Sequence, residues 1–146
     1  MEVKKSELMR AGKPRGFADG MAVSGAGGFV FLSGVTGQDY ETGATPLGFE
    51  AQVHAAWNSI IDRLEKYGSS VANICHASVF VVGAFPHGIM NDPRTAVMSQ
   101  ARKQAWQERY GAEFAVKTVI PTTIVGVTAL ARPEMLVEIQ IVAFRD

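Results

Sequence analysis

Residues 117–143 read KTVIPTTIVGVTALARPEMLVEIQIVA, and this stretch decides the fold. From Thr122 to Leu130 the side chains are mostly β-branched or small, which suits a pleated, partly buried surface. Pro121 stands just ahead of that run, where a missing N–H is tolerated at a strand start. Ala131-Arg132-Pro133-Glu134 punctuates, and Met135 to Phe144 runs extended again. Alternation places Val137, Ile139, Ile141 and Ala143 on one face, a pure core face. Leu136, Glu138, Gln140 and Val142 share the other, where a carboxylate and an amide sit among aliphatic groups. A solvent face would carry more charge, so this one is expected to be half-buried, with Glu138 at its polar centre.

Working outward, Phe29-Val30-Phe31-Leu32 is apolar on both faces, which predicts a central strand. A polar loop with Thr42-Gly43 at its turn follows. A helix is expected from about Gly48 to Tyr67, with Phe49, Val53, Trp57, Ile60, Ile61 and Leu64 as its apolar stripe and Gly68 as its stop. Val71 to Val82 predicts a strand with Cys75, Ala77, Val79 and Val81 on one face and His76, Ser78, Phe80 and Val82 on the other. Gly83 to Asn91 is a loop, and Asp92-Pro93 is a helix start signal. The second helix runs to about Tyr110, with Val97, Met98, Ala101, Ala105 and Trp106 inward and Gly111 at its end. Ahead of all this, Lys13 to Gly20 reads as a loop and Met21-Ala22-Val23 as a short edge strand. Ser24 to Gly28 is glycine-rich, but it leads into a strand rather than a helix, which favours a hairpin turn over a phosphate loop.

The order of elements predicts one α+β domain over residues 1–146, with two helices on one face of a single mixed sheet. The length suffices to bury one core. Net charge is zero, with 14 basic and 14 acidic residues, so nothing global draws the chain to nucleic acid or membrane. No apolar run is long enough to span a bilayer, and the basic N-terminus lacks the apolar segment of a secretory signal. A lone cysteine, Cys75, fits a reducing cytoplasm and excludes an internal disulfide.

FVFLSG (Phe29 to Gly34), TGATPLGFEAQ, the helix AQVHAAWNSIIDRLEKYG, the Pro121 strand and the closing LVEIQIVA together resemble the Rid proteins, the reactive intermediate deaminases also called YjgF-like. The likeness covers roughly Phe29 to Val82 and Val116 to Ala143, with Ser59 in place of a family asparagine and a longer segment at 83–110. It implies the chorismate-mutase-like Rid fold, a homotrimer with clefts between subunits, and water-dependent deamination of imines or enamines without metal or cofactor. Glu138 then resembles the glutamate that holds water beside the substrate, and Ser33-Gly34 resembles the family's cleft-lining pair. The family's carboxylate-binding arginine is Thr123 here, its small cysteine is Val125, and the loop of its tyrosine is rebuilt, with Gly20 near the aligned place and Phe17 close by. Threonine cannot reproduce the bidentate fork of arginine. The resemblance therefore implies a substrate other than a short 2-iminoacid, such as an aminomuconate-type ring-cleavage product.

Alternatives stay open on the residues themselves. Glu138 either serves chemistry or hydrogen-bonds a neighbouring subunit. Ser33 is either a turn cap or a site residue. Arg15, and His87 in the 83–91 loop, are candidates for the missing anion partner, whereas His54, His76 and Cys75 read as structural. No histidine has metal-ligand spacing. A non-catalytic trimer that binds a metabolite or exposed apolar segments is the alternative function. The ribonuclease label carried by some family members is disfavoured by neutrality and by the lack of a basic, aromatic stripe.

Overall fold

In the computed structural model, which describes residues 1–146, the closing strand β6 (Val137–Arg145) is the spine of the sheet. It pairs antiparallel with β3 (Gly28–Phe31) on one side and with β4 (Ile74–Val82) on the other. The parallel strand β5 (Thr122–Val127) lies beyond β4, giving the order β3-β6-β4-β5. The expected alternation in β6 holds: Val137, Ile139, Ile141 and Ala143 are fully buried, while Leu136, Glu138 and Val142 are half-buried.

Helices α1 (Phe49–Lys66) and α2 (Pro93–Tyr110) cover the buried face. Val53, Trp57, Ile60, Ile61 and Leu64 of α1 are within 2% of complete burial, as their spacing predicts. Each such side chain contributes about 1.5–3 kcal/mol relative to exposure. Trp57 meets Trp106 of α2 edge-on, with ring centroids 5.3 Å apart, a geometry that favours aromatic pairs. Asp92 caps α2 by accepting from the Arg94 N–H at 2.9 Å. The Arg94 guanidinium also donates to both Asp92 carboxylate oxygens, which holds that carboxyl down to about 2. The same guanidinium reaches the carbonyls of Val82 and Ala84 and lies 4.3 Å from the Phe85 ring, so it fixes the start of the 83–91 loop.

Residues 24–28 join strands of separate sheets and form no hairpin turn, and four further features depart from the sequence expectation. Residues 13–20 are not a loop: β1 (Glu2–Arg10) and β2 (Lys13–Ser24) form a long antiparallel hairpin. Its turn has positive φ at both Ala11 and Gly12, the geometry of a tight two-residue hairpin. The ribbon is largely exposed and so carries no core periodicity. It joins the main sheet where the Ala18 N–H donates to the Ile120 carbonyl, beside a bridge to Pro121.

Secondly, the apolar strand β3 is an edge, not a centre. Val30 and Leu32 face the core, while Phe29 and Phe31 are 57% and 74% exposed on the uncovered face. Thirdly, β4 begins at Ile74 after a 3-10 turn, Val71–Asn73, and a bulge between Ile74 and His76 puts Ile74 in the core in place of Cys75. Finally, a short third helix, α3 (Ala112–Lys117), follows Gly111. The α+β architecture stands, with three helices rather than two and the N-terminal ribbon beside the mixed sheet. No helix is long and apolar enough to cross a membrane.

One buried polar side chain ties the loops together. Gln52 of α1 is 2% exposed; its amide donates to the carbonyls of Pro46 and Glu134 and accepts from the Leu136 N–H, at 2.9, 2.9 and 2.8 Å. Gln52→Leu leaves those backbone groups without partners at about 1–3 kcal/mol apiece. The variant is expected to lose at least about 2 kcal/mol in urea unfolding; an unchanged midpoint would remove Gln52 from this role.

Candidate functional site

The uncovered sheet face carries a polar group that the strand registers bring together. Ser78 is opposite Thr123 on one side and Gln140 on the other; Phe80 is opposite Val125 and Glu138. The next row holds His76 and Val142, with Phe31 at the edge. His76 lies with one ring nitrogen, Nε2, 3.1 Å from the Thr123 hydroxyl and with Nδ1 3.3 Å from the Ser78 hydroxyl. It is therefore part of the polar string on this face and not merely a core histidine.

Glu138 is placed by a bulge where the chain continues from β3 along β6. Val35 and Ile139 exchange two backbone hydrogen bonds of 2.8 Å, and the Leu32 N–H donates to Ile141. Between them, Ser33 and Gly34 stand outside the ladder, and the Glu138 carboxylate folds over Gly34. A Cβ built on Gly34 would come within 2.7 Å of the Glu138 carboxyl carbon. Glycine here is a requirement of the carboxylate's position, not of backbone conformation. Glu138 belongs to none of the chain's ion pairs. An unpaired carboxylate beside aliphatic and aromatic groups can hold a water and move a proton.

Thr123 lies on this same face but two strands from β6, about 10 Å at ordinary strand spacing. The principal cavities of the single chain include neither Glu138 nor Thr123. Arg15 and Phe17 lie elsewhere: with Thr122 and Ile124 they line a cavity on the helix side of the sheet, opposite Thr123. His87 is exposed in its loop, where its carbonyl accepts from the Asn91 amide at 2.7 Å. Within one chain, then, Glu138, Gly34 and Ser33 share a neighbourhood, Thr123 shares the face, and Arg15, Phe17 and His87 do not join them.

Sequence reading passed over His76 and Ser78 as site residues, although strand alternation had already placed them together on this side. His54 is structural: Nε2 meets Glu108 at 3.0 Å and Nδ1 meets the Asn58 amide, tying α1 to α2. No group of three or more His, Cys, Asp and Glu side chains is arranged to hold a metal.

The family model described as Endoribonuclease L-PSP matches residues 16–145. No curated protein sequence matches significantly. Among solved structures, the conserved Rid-family protein YyfB of Yersinia pestis, of unknown function, superposes with a TM-score of 0.70 at 19% identity, covering 96% of this chain and 98% of that one. TdcF of E. coli, solved with bound serine, gives 0.65 at 24% identity, covering 89% and 88%. The E. coli YjgF product gives 0.63 at 24%, with the same coverage. At these identities the likeness carries the fold alone.

Cys75 offers a test of this side of β4. Burial pushes its thiol up, opposed in part by a backbone hydrogen bond at Phe144, so less thiolate is present at neutral pH than in a free cysteine. Alkylation of the native protein is expected to be at least about tenfold slower than after unfolding, with its pH profile displaced above the usual value of about 8.5. A native rate equal to the unfolded rate would place Cys75 in open solvent.

Proposed function

We propose, from the premise that this chain belongs to the endoribonuclease L-PSP (YjgF/Rid) family, that it hydrolyses a C=N or enamine bond and releases ammonia. The observation that carries the reading is the unpaired Glu138 carboxylate folded over Gly34 on an uncovered, partly apolar sheet face. Glu138 takes a proton from water as the water oxygen bonds to the imine carbon, and the C=N π pair moves to nitrogen. The carboxyl returns that proton to nitrogen, then takes the proton of the new C–OH as C=O forms and hands it to nitrogen as the C–N bond breaks, so that ammonia leaves. An enamine enters the same path after protonation at its β-carbon. Ser33 and Gly34 line the pocket, and Thr123 shapes its far side together with the His76 and Ser78 string.

The same face supports assembly. Phe29, Phe31 and Val125 are more than 40% exposed there, beside half-buried Phe80 and Val142. Contiguous apolar surface of this kind marks association. A homotrimer would cover it, turn the flat surface beside Glu138 into a cleft, and could bring the exposed His87 loop of one copy to the rim of another. The medium is a reducing cytoplasm, in keeping with the single cysteine, and no cofactor is invoked. The serine bound to TdcF is an amino-acid-sized molecule, and a substrate of related size and nitrogen chemistry suits this chain.

Thr123 sets the substrate class. One neutral hydroxyl replaces two parallel charge-assisted hydrogen bonds, so the pocket favours a larger or less anionic substrate than a short 2-iminoacid, such as an aminomuconate-type ring-cleavage product. A non-catalytic trimer that holds a metabolite is the competing reading, and ammonia release from supplied imines separates the two.

Sedimentation equilibrium at micromolar concentration is expected to give a trimer; a monomer would refute the assembly. Glu138→Gln should leave the trimer intact and lower turnover at least about a hundredfold, the scale of general acid–base catalysis. Retained turnover would make Glu138 structural. The unmodified protein is expected to hydrolyse 2-iminopropanoate and 2-iminobutanoate weakly, with partial gain in Thr123→Arg. Efficient hydrolysis of either by the parent protein would overturn the assignment given to Thr123.

A further inference from the structure

The cavity on the helix side of the sheet, about 340 Å³, is bounded by the β2 hairpin, the start of α2 and the inner face of β5. That is the small end of the range for ligand pockets, about 300–1,000 Å³. Phe17, Trp57, Met90, Met98 and Ile124 give it an apolar lining, and its only ionisable groups are the guanidinium groups of Arg15 and Arg102.

Arg102 is the unusual feature. Its Nε is sealed from solvent and has no hydrogen-bond partner, and no carboxylate pairs with it. The residue as a whole is half-buried, and the Trp106 ring lies 4.8 Å from the guanidinium carbon. Burial lowers its proton affinity, yet arginine stays charged in proteins. A partly desolvated cation without a counter-charge is costly, and a cation–π contact offsets only part of that cost. Arg15 adds a second, exposed cation. Ser99, one helical turn before Arg102, supplies a hydroxyl to the same wall.

We propose that this cavity is a second binding site, distinct from the Glu138 face, for a small organic carboxylate with an aromatic or branched apolar body. The carboxylate pairs with Arg102 and Arg15, and the body packs against Phe17, Met98 and Trp57. Alternation in β5 separates the two sites: Thr122 and Ile124 face this cavity, and Thr123 faces the other side. The site is complete within one chain and lies away from the face proposed to be covered in the trimer. The apolar walls select against inorganic anions.

Benzoate is a suitable probe, read by calorimetry and by tryptophan fluorescence, since Trp57 lines the cavity. Saturable binding is expected, with benzamide at least about tenfold weaker because it lacks the charge. Arg102→Gln should weaken benzoate at least about tenfold, with Arg102→Lys between the two. Glu138→Gln, on the opposite face, should bind benzoate as the parent does. Should Arg102→Gln fail to fold, exposed Arg15→Gln is expected to weaken binding several-fold, and Ser99→Phe to abolish it by filling the space. The proposal is overturned if benzoate, cyclohexanecarboxylate and isovalerate all fail to bind at about 10 mM, a weak-fragment affinity. It is equally overturned by inorganic phosphate binding as tightly as benzoate, or by parent-like binding in Arg15→Gln together with either Arg102→Gln or Ser99→Phe.

Discussion

The geometry of the Glu138 face depends on a residue that does not belong to it. Gln52 is buried inside α1's packing surface, and its primary amide supplies two donors and an acceptor to three backbone groups of two loops. A buried backbone group without a partner is expensive, so the amide fixes where both loops run. One of its bonds is to the Leu136 N–H, two residues before Glu138, and sets where β6 begins. The other loop returns from Gly34, and at Gly37 it passes so close to α1 that a Cβ would lie 2.8 Å from the Gln52 Cα. The glycine beneath the carboxylate and the strand that carries it are thus held by one helix position.

One sheet serves two environments because strand side chains alternate. In β6 Val137, Ile139, Ile141 and Ala143 complete the core, and Glu138, Gln140 and Val142 face the candidate site. In β5 the same rule divides Thr122 and Ile124 from Thr123 and Val125, so a single six-residue strand contributes to the helix-side cavity and to the open face. The parallel pairing of β4 with β5 keeps Ser78 level with Thr123, and the antiparallel pairing of β4 with β6 keeps it level with Gln140. A slip of one residue in either register would exchange core for site.

What could be read from the sequence was whatever burial writes into it. The β6 alternation, the α1 stripe and the Asp92-Pro93 cap were legible because each pairs a local chemical requirement with a regular period. The N-terminal hairpin was not: its strands are largely exposed, and its turn uses Ala11-Gly12 instead of an asparagine–glycine pair. Phe29 and Phe31 point in sequence to a central strand because a covered face and an uncovered apolar one look alike there. The bulge that exchanges Cys75 for Ile74 leaves no compositional trace. Glu138 and Gly34 were legible as candidates, and their contact was not. Arg102 was invisible for another reason: an arginine in a helix normally reads as solvated, and only the packing of Trp106 and the hairpin around it makes it unusual.

The exposed phenyl rings of β3 bear on the chemistry as well as on assembly. A half-exposed carboxylate on a flat surface competes with bulk water for every hydrogen bond it makes, and such a surface offers a substrate one wall. Covering Phe31, Val125 and Val142 with a second copy would bury apolar area at about 25 cal/mol per Å² and in the same step exclude water beside Glu138. Hydrogen bonds in that drier setting are stronger, and an ordered water held by the carboxylate is better placed to react. The apolar edge that makes the lone subunit look unfinished is, in the proposed trimer, the same surface that would make the unpaired β6 carboxylate effective.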